Sequence, residues 1–130
     1  MPKLAVPKPT AAELAILRVL WQEGPCTVRQ VYEVLSRGRS LGYTTALKLL
    51  QIMTEKGLTT REEQGQHHVY RARHPEGETQ RRLVQDLLER AFGGSTSKLV
   101  MQALATKRAS RAELREIRRM LMAHKEQDHD

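Results

Sequence analysis

A chain of 130 residues can build one compact core and a modest appendage, but not two full domains. Lysine and arginine outnumber aspartate and glutamate by 22 to 15, and the pI is near 10.0, so a polyanionic partner is favoured, although membranes and acidic proteins also attract basic chains. The single cysteine, Cys26, excludes an internal disulfide; with no apolar run of about 18 residues and no apolar block at the N-terminus, a soluble protein of the reducing cytoplasm is expected.

The positive charge is unevenly spread. Residues 1–75 carry 11 basic and 6 acidic side chains, whereas residues 76–130 carry 11 and 9, so a polyanion should meet the first part. Residues 1–9, with three prolines and two lysines, read as a flexible arm. Thr10-Ala11-Ala12-Glu13 is a capping box in front of Leu14, Leu17, Val19, Leu20 and Trp21, and Gly24-Pro25 stops that helix. Cys26 reads as a small buried residue beside the next helix start. Thr27 caps the second helix, whose apolar positions are Val28, Val31, Tyr32 and Leu35; it ends in a polar stretch over 36–42. A third helix is predicted over 43–56, closed by Gly57, with Ala46, Leu49, Leu50 and Met53 toward the core.

Strands are predicted over 58–63 and 68–73, joined by Gln64-Gly65-Gln66-His67 as a hairpin loop. After a boundary at His74-Pro75-Glu76-Gly77, helices are expected over about 78–92, around Leu99 to Leu104, and from a second capping box at Ser110-Arg111-Ala112-Glu113, with Gly93-Gly94-Ser95 between the first two. The stretch 125–130 reads as a frayed polar tail. The fold class is therefore mainly α with a small β-hairpin. A winged helix-turn-helix over 10–75 is followed by a helical dimerisation region over 76–124.

In such a fold the third helix enters the DNA major groove. Its face away from the core presents Thr44, Thr45, Lys48, Gln51 and Glu55, and four of these form one stripe at i, i+4, i+7 and i+11. Threonine can touch a thymine methyl or a base edge, lysine can donate to guanine or phosphate, and glutamine can pair with adenine. Leu47 and Ile52 flank the stripe and are expected to pack against the hairpin. Gln64, Gln66 and His67 at the wing tip, with Arg61 nearby, are placed to bind phosphates, although Glu62 and Glu63 oppose a strongly positive wing. Arg29, near the start of the second helix, is a further phosphate candidate.

Several segments together resemble the penicillinase and methicillin-resistance repressor family. They are Leu14-Ala15-Ile16-Leu17-Arg18-Val19-Leu20-Trp21, Gly24-Pro25-Cys26-Thr27-Val28-Arg29, Tyr43-Thr44-Thr45-Ala46-Leu47-Lys48-Leu49-Leu50, Glu55-Lys56-Gly57-Leu58 and His68-Val69-Tyr70. Copper-transport repressors share the N-terminal pattern. The similarity extends over about 10–124, including Gly93-Gly94-Ser95 and Leu99-Val100. It implies a transcriptional repressor that acts as a homodimer on a palindromic operator, with recognition contacts at Thr44, Thr45 and Lys48. It also implies release through a membrane sensor metalloprotease and a cut at an Asn-Phe bond in the fifth helix. Here the equivalent pair is Gln102-Ala103, so the chain departs from the family at the cleavage region. The cysteine-rich metal tail of the copper branch is absent.

Three amphipathic tail segments need a second surface on which to bury Leu87, Leu88, Phe92, Leu99, Val100, Leu104, Leu114, Ile117 and Leu121. A second copy supplies one better than folding back does, and it sets two recognition helices about 34–36 Å apart, one DNA turn, or a multiple of that. The histidines His67, His68, His74, His124 and His129 form no metal motif, Cys26 has no metal-spaced partner and no phosphate loop is present, so neither cofactor, metal nor catalysis is expected, and no direct membrane binding. The alternative function is a winged-helix protein-interaction module without operator specificity.

Overall fold

The computed structural model describes residues 6–38 and 41–127. Residues 1–5 of the expected arm, residues 128–130 of the expected tail, and Arg39 and Ser40 lie outside the described residues. The chain divides into two compact units, Met1–Asp86 and Leu87–Asp130.

The first unit begins with α1 (Ala11–Glu23). Its capping box is complete: the Thr10 hydroxyl accepts from the Glu13 amide at 3.2 Å and the Glu13 carboxylate accepts from the Thr10 amide at 2.9 Å. Gly24, at φ +84°, ends the helix and donates its N–H to the Leu20 carbonyl at 2.9 Å. Ile16, absent from the periodic set, is fully buried with Leu17, Val19 and Leu20, while Leu14 and Trp21 are half-buried. The reason is that α1 packs against α2 (Val28–Leu35), α3 (Tyr43–Lys56) and the second strand, so more than one side of it is covered. In α2, Thr27 and Gln30 form another reciprocal capping box. Gly57, left-handed at φ +85°, closes α3 as the sequence predicts.

Strands β1 (Thr59–Gln64) and β2 (His67–Ala72) pair antiparallel, Thr59 with Ala72 through to Gln64 with His67. Against the predicted 58–63 and 68–73, the connector is shorter: Gly65 at φ +64° turns the chain in two residues rather than four. A bridge absent from the prediction joins this wing to the α1–α2 connection. Cys26 and Tyr70 exchange backbone hydrogen bonds, with Cys26 N–H donating at 2.9 Å and Tyr70 N–H at 2.8 Å. The core of the unit comprises Ile16, Leu17, Val19, Leu20, Cys26, Val28, Val31, Ala46, Leu50, Met53, Leu58 and Tyr70.

The helix α4 (Glu76–Phe92) starts two residues before the predicted position, and its first turns belong to the first unit rather than opening a tail. Thr79 is buried, and Trp21 Nε1–H donates to the His74 carbonyl at 2.9 Å. Asp86 meets Lys8 at 2.9 Å, and Pro9 is buried, so the described part of the arm carries specific contacts without regular structure.

The second unit holds the end of α4, then α5 (Thr96–Thr106) and α6 (Arg111–Gln127). Gly93 and Gly94 both have positive φ, and Gly94 N–H donates back to the Leu88 carbonyl at 2.8 Å. Ser110 and Glu113 cap α6 reciprocally at 3.0 Å each. The Ser110 hydrogen bonds, backbone first, hold the Glu113 carboxyl below its ordinary range. The helix continues past His124 to Gln127, beyond where the polar sequence suggests fraying. No residue from 87 to 125 is buried.

Candidate nucleic-acid interface

Burial of Ala46, Leu50 and Met53, each 0 % exposed, turns the opposite side of α3 outward. Thr44, Thr45, Lys48, Gln51 and Glu55 are all exposed there, as the helical period requires. Leu49, expected in the core, is only half-buried, as are Leu47 and Ile52. Leu47 packs against the core cluster and also lines a groove beside the wing.

Both ends of α3 are anchored. At its C-terminus, Lys56 Nζ donates to the two carboxylate oxygens of Glu13 at 2.7 and 3.0 Å. Burial pushes the Glu13 carboxyl up, but hydrogen bonds from Lys56 and Thr10, with the Lys56 charge, outweigh it and hold the group below 4.5. Glu13 thus caps α1 and grips α3 with one side chain. At the N-terminus of α3, the Tyr43 and Tyr32 rings meet in a T-shaped pair, with centroids 5.8 Å apart and planes at 73°. The Arg29 guanidinium carbon lies 5.1 Å from the centre of the same Tyr43 ring.

Between the start of α2, the first half of α3 and the wing lies a groove of about 560 Å³, which Arg29, Tyr43, Gln66 and His67 line together with Thr27, Gln30, Leu47, His68 and Tyr70. Of the phosphate candidates, Arg29, Gln66 and His67 therefore converge, whereas Arg61 and Gln64 are exposed on β1 and do not line the groove. The Gln64 amide donates to Glu62 at 3.3 Å. Glu62 is met by Arg71 at 3.1 Å, and Glu63 lies 3.6 Å from His68. Of the two acids that weigh against a basic wing, Glu62 is thus paired with a cation, whereas Glu63 faces an imidazole. Sequence reasoning missed Tyr43, His68 and Arg71 because their partners lie across strands or on another helix. Cross-strand pairing was the one signal that could have found the last two, His68 lying directly opposite Glu63 and Arg71 diagonally across from Glu62.

Cys26 is buried, and its Sγ–H donates to the Gly24 carbonyl at 3.2 Å. Burial, and then the nearby Glu23 charge, push its thiol pKa up, so its surroundings disfavour the reactive thiolate. Among the described residues, no three His, Cys, Asp or Glu side chains converge as a metal site requires, and no helix is long and apolar enough to cross a membrane.

Three helices with a wet third helix, and a two-stranded wing stitched to the α1–α2 connection, define a winged helix-turn-helix. A family model described as penicillinase repressor matches residues 9–123, and the chain belongs to that family. Over 80 residues it is 38% identical to a transcriptional regulator, BlaI, of Mycobacterium tuberculosis; the match covers 61% of this chain and spans 58% of the length of that relative. It is 23% identical over 120 residues to the penicillinase repressor of Bacillus licheniformis, covering 92% and 94% of the two chains. Among solved structures, the DNA-binding domain of the repressor BlaI superposes with TM-score 0.51 at 24% identity, over 60% of this chain and 93% of that one. The Bacillus licheniformis BlaI monomeric form, solved in complex with the blaP half-operator, gives 0.50 at 23%, over 56% and 89%. These two likenesses concern the fold.

Proposed function

We propose that this chain is a cytoplasmic transcriptional repressor, without enzymatic activity, that binds a palindromic operator as a homodimer. The observation that carries the reading is the exposed α3 stripe of Thr44, Thr45, Lys48 and Gln51, beside a groove that Arg29, Gln66 and His67 line. Lys48 and Gln51 offer donors to base edges, the two threonines lie at the N-terminal end where amides favour phosphate, and Arg29 and the wing tip fix position on the backbone. Arg61 and Gln64 serve as outer wing contacts. A relative bearing the name of penicillinase repressor, and a neighbour solved on a half-operator, support this assignment.

Dimerisation is assigned to the helices of the second unit. Leu87, Val100, Leu104, Leu114 and Leu121 are 37–63% exposed, and Leu88, Phe92, Leu99 and Ile117 are half-buried. A unit with this much apolar surface, and no buried side chain over residues 87–125, requires a second surface. Release is assigned to proteolysis in α5, where Gln102 and Ala103 are exposed, with a membrane sensor metalloprotease as the partner. Selection of duplexes from a random pool, followed by mobility shifts across salt concentrations, tests the reading. Enrichment of a palindrome, with log affinity falling linearly against log salt, is the expected result. A folded, dimeric chain that enriches no sequence is instead a protein-interaction module.

A further inference from the structure

We infer that Tyr43 is a positioning residue: its ring holds the Arg29 guanidinium at the mouth of the groove, where it takes a backbone phosphate of the duplex. This rests on the DNA-binding reading above. Arg29 and Tyr32 are three residues apart on α2 and so share a helical face, while Tyr43 is the first residue of α3. The T-shaped contact of Tyr32 with Tyr43 and Arg29 over the Tyr43 ring make one cluster at the junction of the two helices of the helix-turn-helix.

Arg29 is poorly placed for helix stability. It is the second residue of α2, where the helix dipole disfavours a positive side chain. Among the described residues no carboxylate lies within ion-pairing distance of it. The capping needs of that helix end are met by Thr27 and Gln30 instead. What the geometry leaves is a cation on an aromatic face, lining an open groove together with Gln66 and His67. An unrestrained arginine loses rotamer freedom on meeting a phosphate; one already lying on a ring loses less, and its outward N–H groups stay available. The ring that performs this service belongs to the recognition helix itself, so seating of α3 and delivery of the phosphate contact are linked.

The test is a double-substitution cycle in the full chain, using Tyr43→Leu, Tyr43→Phe, Arg29→Ala and their combinations, with folding verified by circular dichroism. The probes are a duplex that the unsubstituted protein selects from a random pool and an unrelated duplex of equal length. Tyr43→Leu is expected to weaken both by about two- to fivefold, as loss of an exposed cation–π contact does. Tyr43→Phe, which keeps the ring, binds as the unsubstituted protein. In the Arg29→Ala background, Tyr43→Leu costs nothing further. Arg29→Ala itself flattens the slope of log affinity against log salt by about 0.9, the signature of one lost phosphate contact on B-DNA. An equal cost of Tyr43→Leu with and without Arg29, a loss with Tyr43→Phe, or an unchanged slope in Arg29→Ala overturns the inference. Those results leave the repressor reading standing if Lys48→Ala still lowers affinity for the selected duplex. If the unsubstituted protein selects no duplex, both fall.

Discussion

Replacing Lys56 by methionine isolates the contact between the start of α1 and the end of α3. Glu13 is 2% exposed, and its Oε2 has Lys56 as its hydrogen-bond donor at 3.0 Å; Oε1 keeps the Thr10 amide at 2.9 Å. The substitution leaves a buried carboxylate with an unmet oxygen, which costs about 1–3 kcal/mol. The larger penalty known for fully buried pairs does not apply, because the Lys56 side chain is 38% exposed and water can replace part of what is lost. A loss of that size lowers the melting temperature by roughly 5–20 °C in a unit of this length. The pH dependence is the sharper signature. In the unsubstituted protein the Glu13 carboxyl is held below 4.5, so its contribution is fully present above that pH and is lost as pH falls through the lower folded value. Without Lys56, burial loses its main opponent, the carboxyl moves up, and protonation relieves the unpaired charge. Urea unfolding of both proteins should therefore show a wide stability gap at neutral pH that narrows in acid, as the pH falls through the range in which the Glu13 carboxyl protonates. A gap equally wide at both, or none at neutral pH, refutes the argument.

Three further outcomes follow from the same geometry. Lys48→Ala and Thr44→Ala should each weaken binding to the selected duplex by about 1–3 kcal/mol in mobility-shift titrations, with a much smaller effect on random duplex if they read bases. Leu114 and Leu121 are 46% and 63% exposed, leaving about half of each side chain to bury in the proposed dimer. At roughly 1 kcal/mol per leucine in each copy, Leu114→Ala with Leu121→Ala should raise the dimer dissociation constant some hundreds-fold by sedimentation, with helix content preserved. Native Cys26 should resist iodoacetamide and react readily in urea, since burial and Glu23 both disfavour its thiolate in the folded state; equal rates would mean the wing bridge opens freely.

Features settled by neighbours three or four residues apart were legible without tertiary structure. Thr10 with Glu13, Ser110 with Glu113, and Gly24 and Gly57 at helix ends act through hydrogen bonds or backbone angles local to one turn, so their residue types announce them. The wet stripe on α3 follows from the same period that buries Ala46, Leu50 and Met53. The wing was harder: its two strands were readable, but the register by one residue depended on how tightly Gly65 turns.

Sequence alone therefore determined the order of elements, the face of the third helix that meets water, and the membership of the apolar tail stripe, because each is a periodic property of one segment. Only tertiary structure decided that Glu13 would reach Lys56, that Cys26 would stitch the wing at Tyr70, that Trp21 would hold His74, and that Arg29 would settle on Tyr43. Those contacts join segments 14 to 53 residues apart. No local period encodes such a distance; it is set when the helices close around a shared core and bring remote side chains within reach.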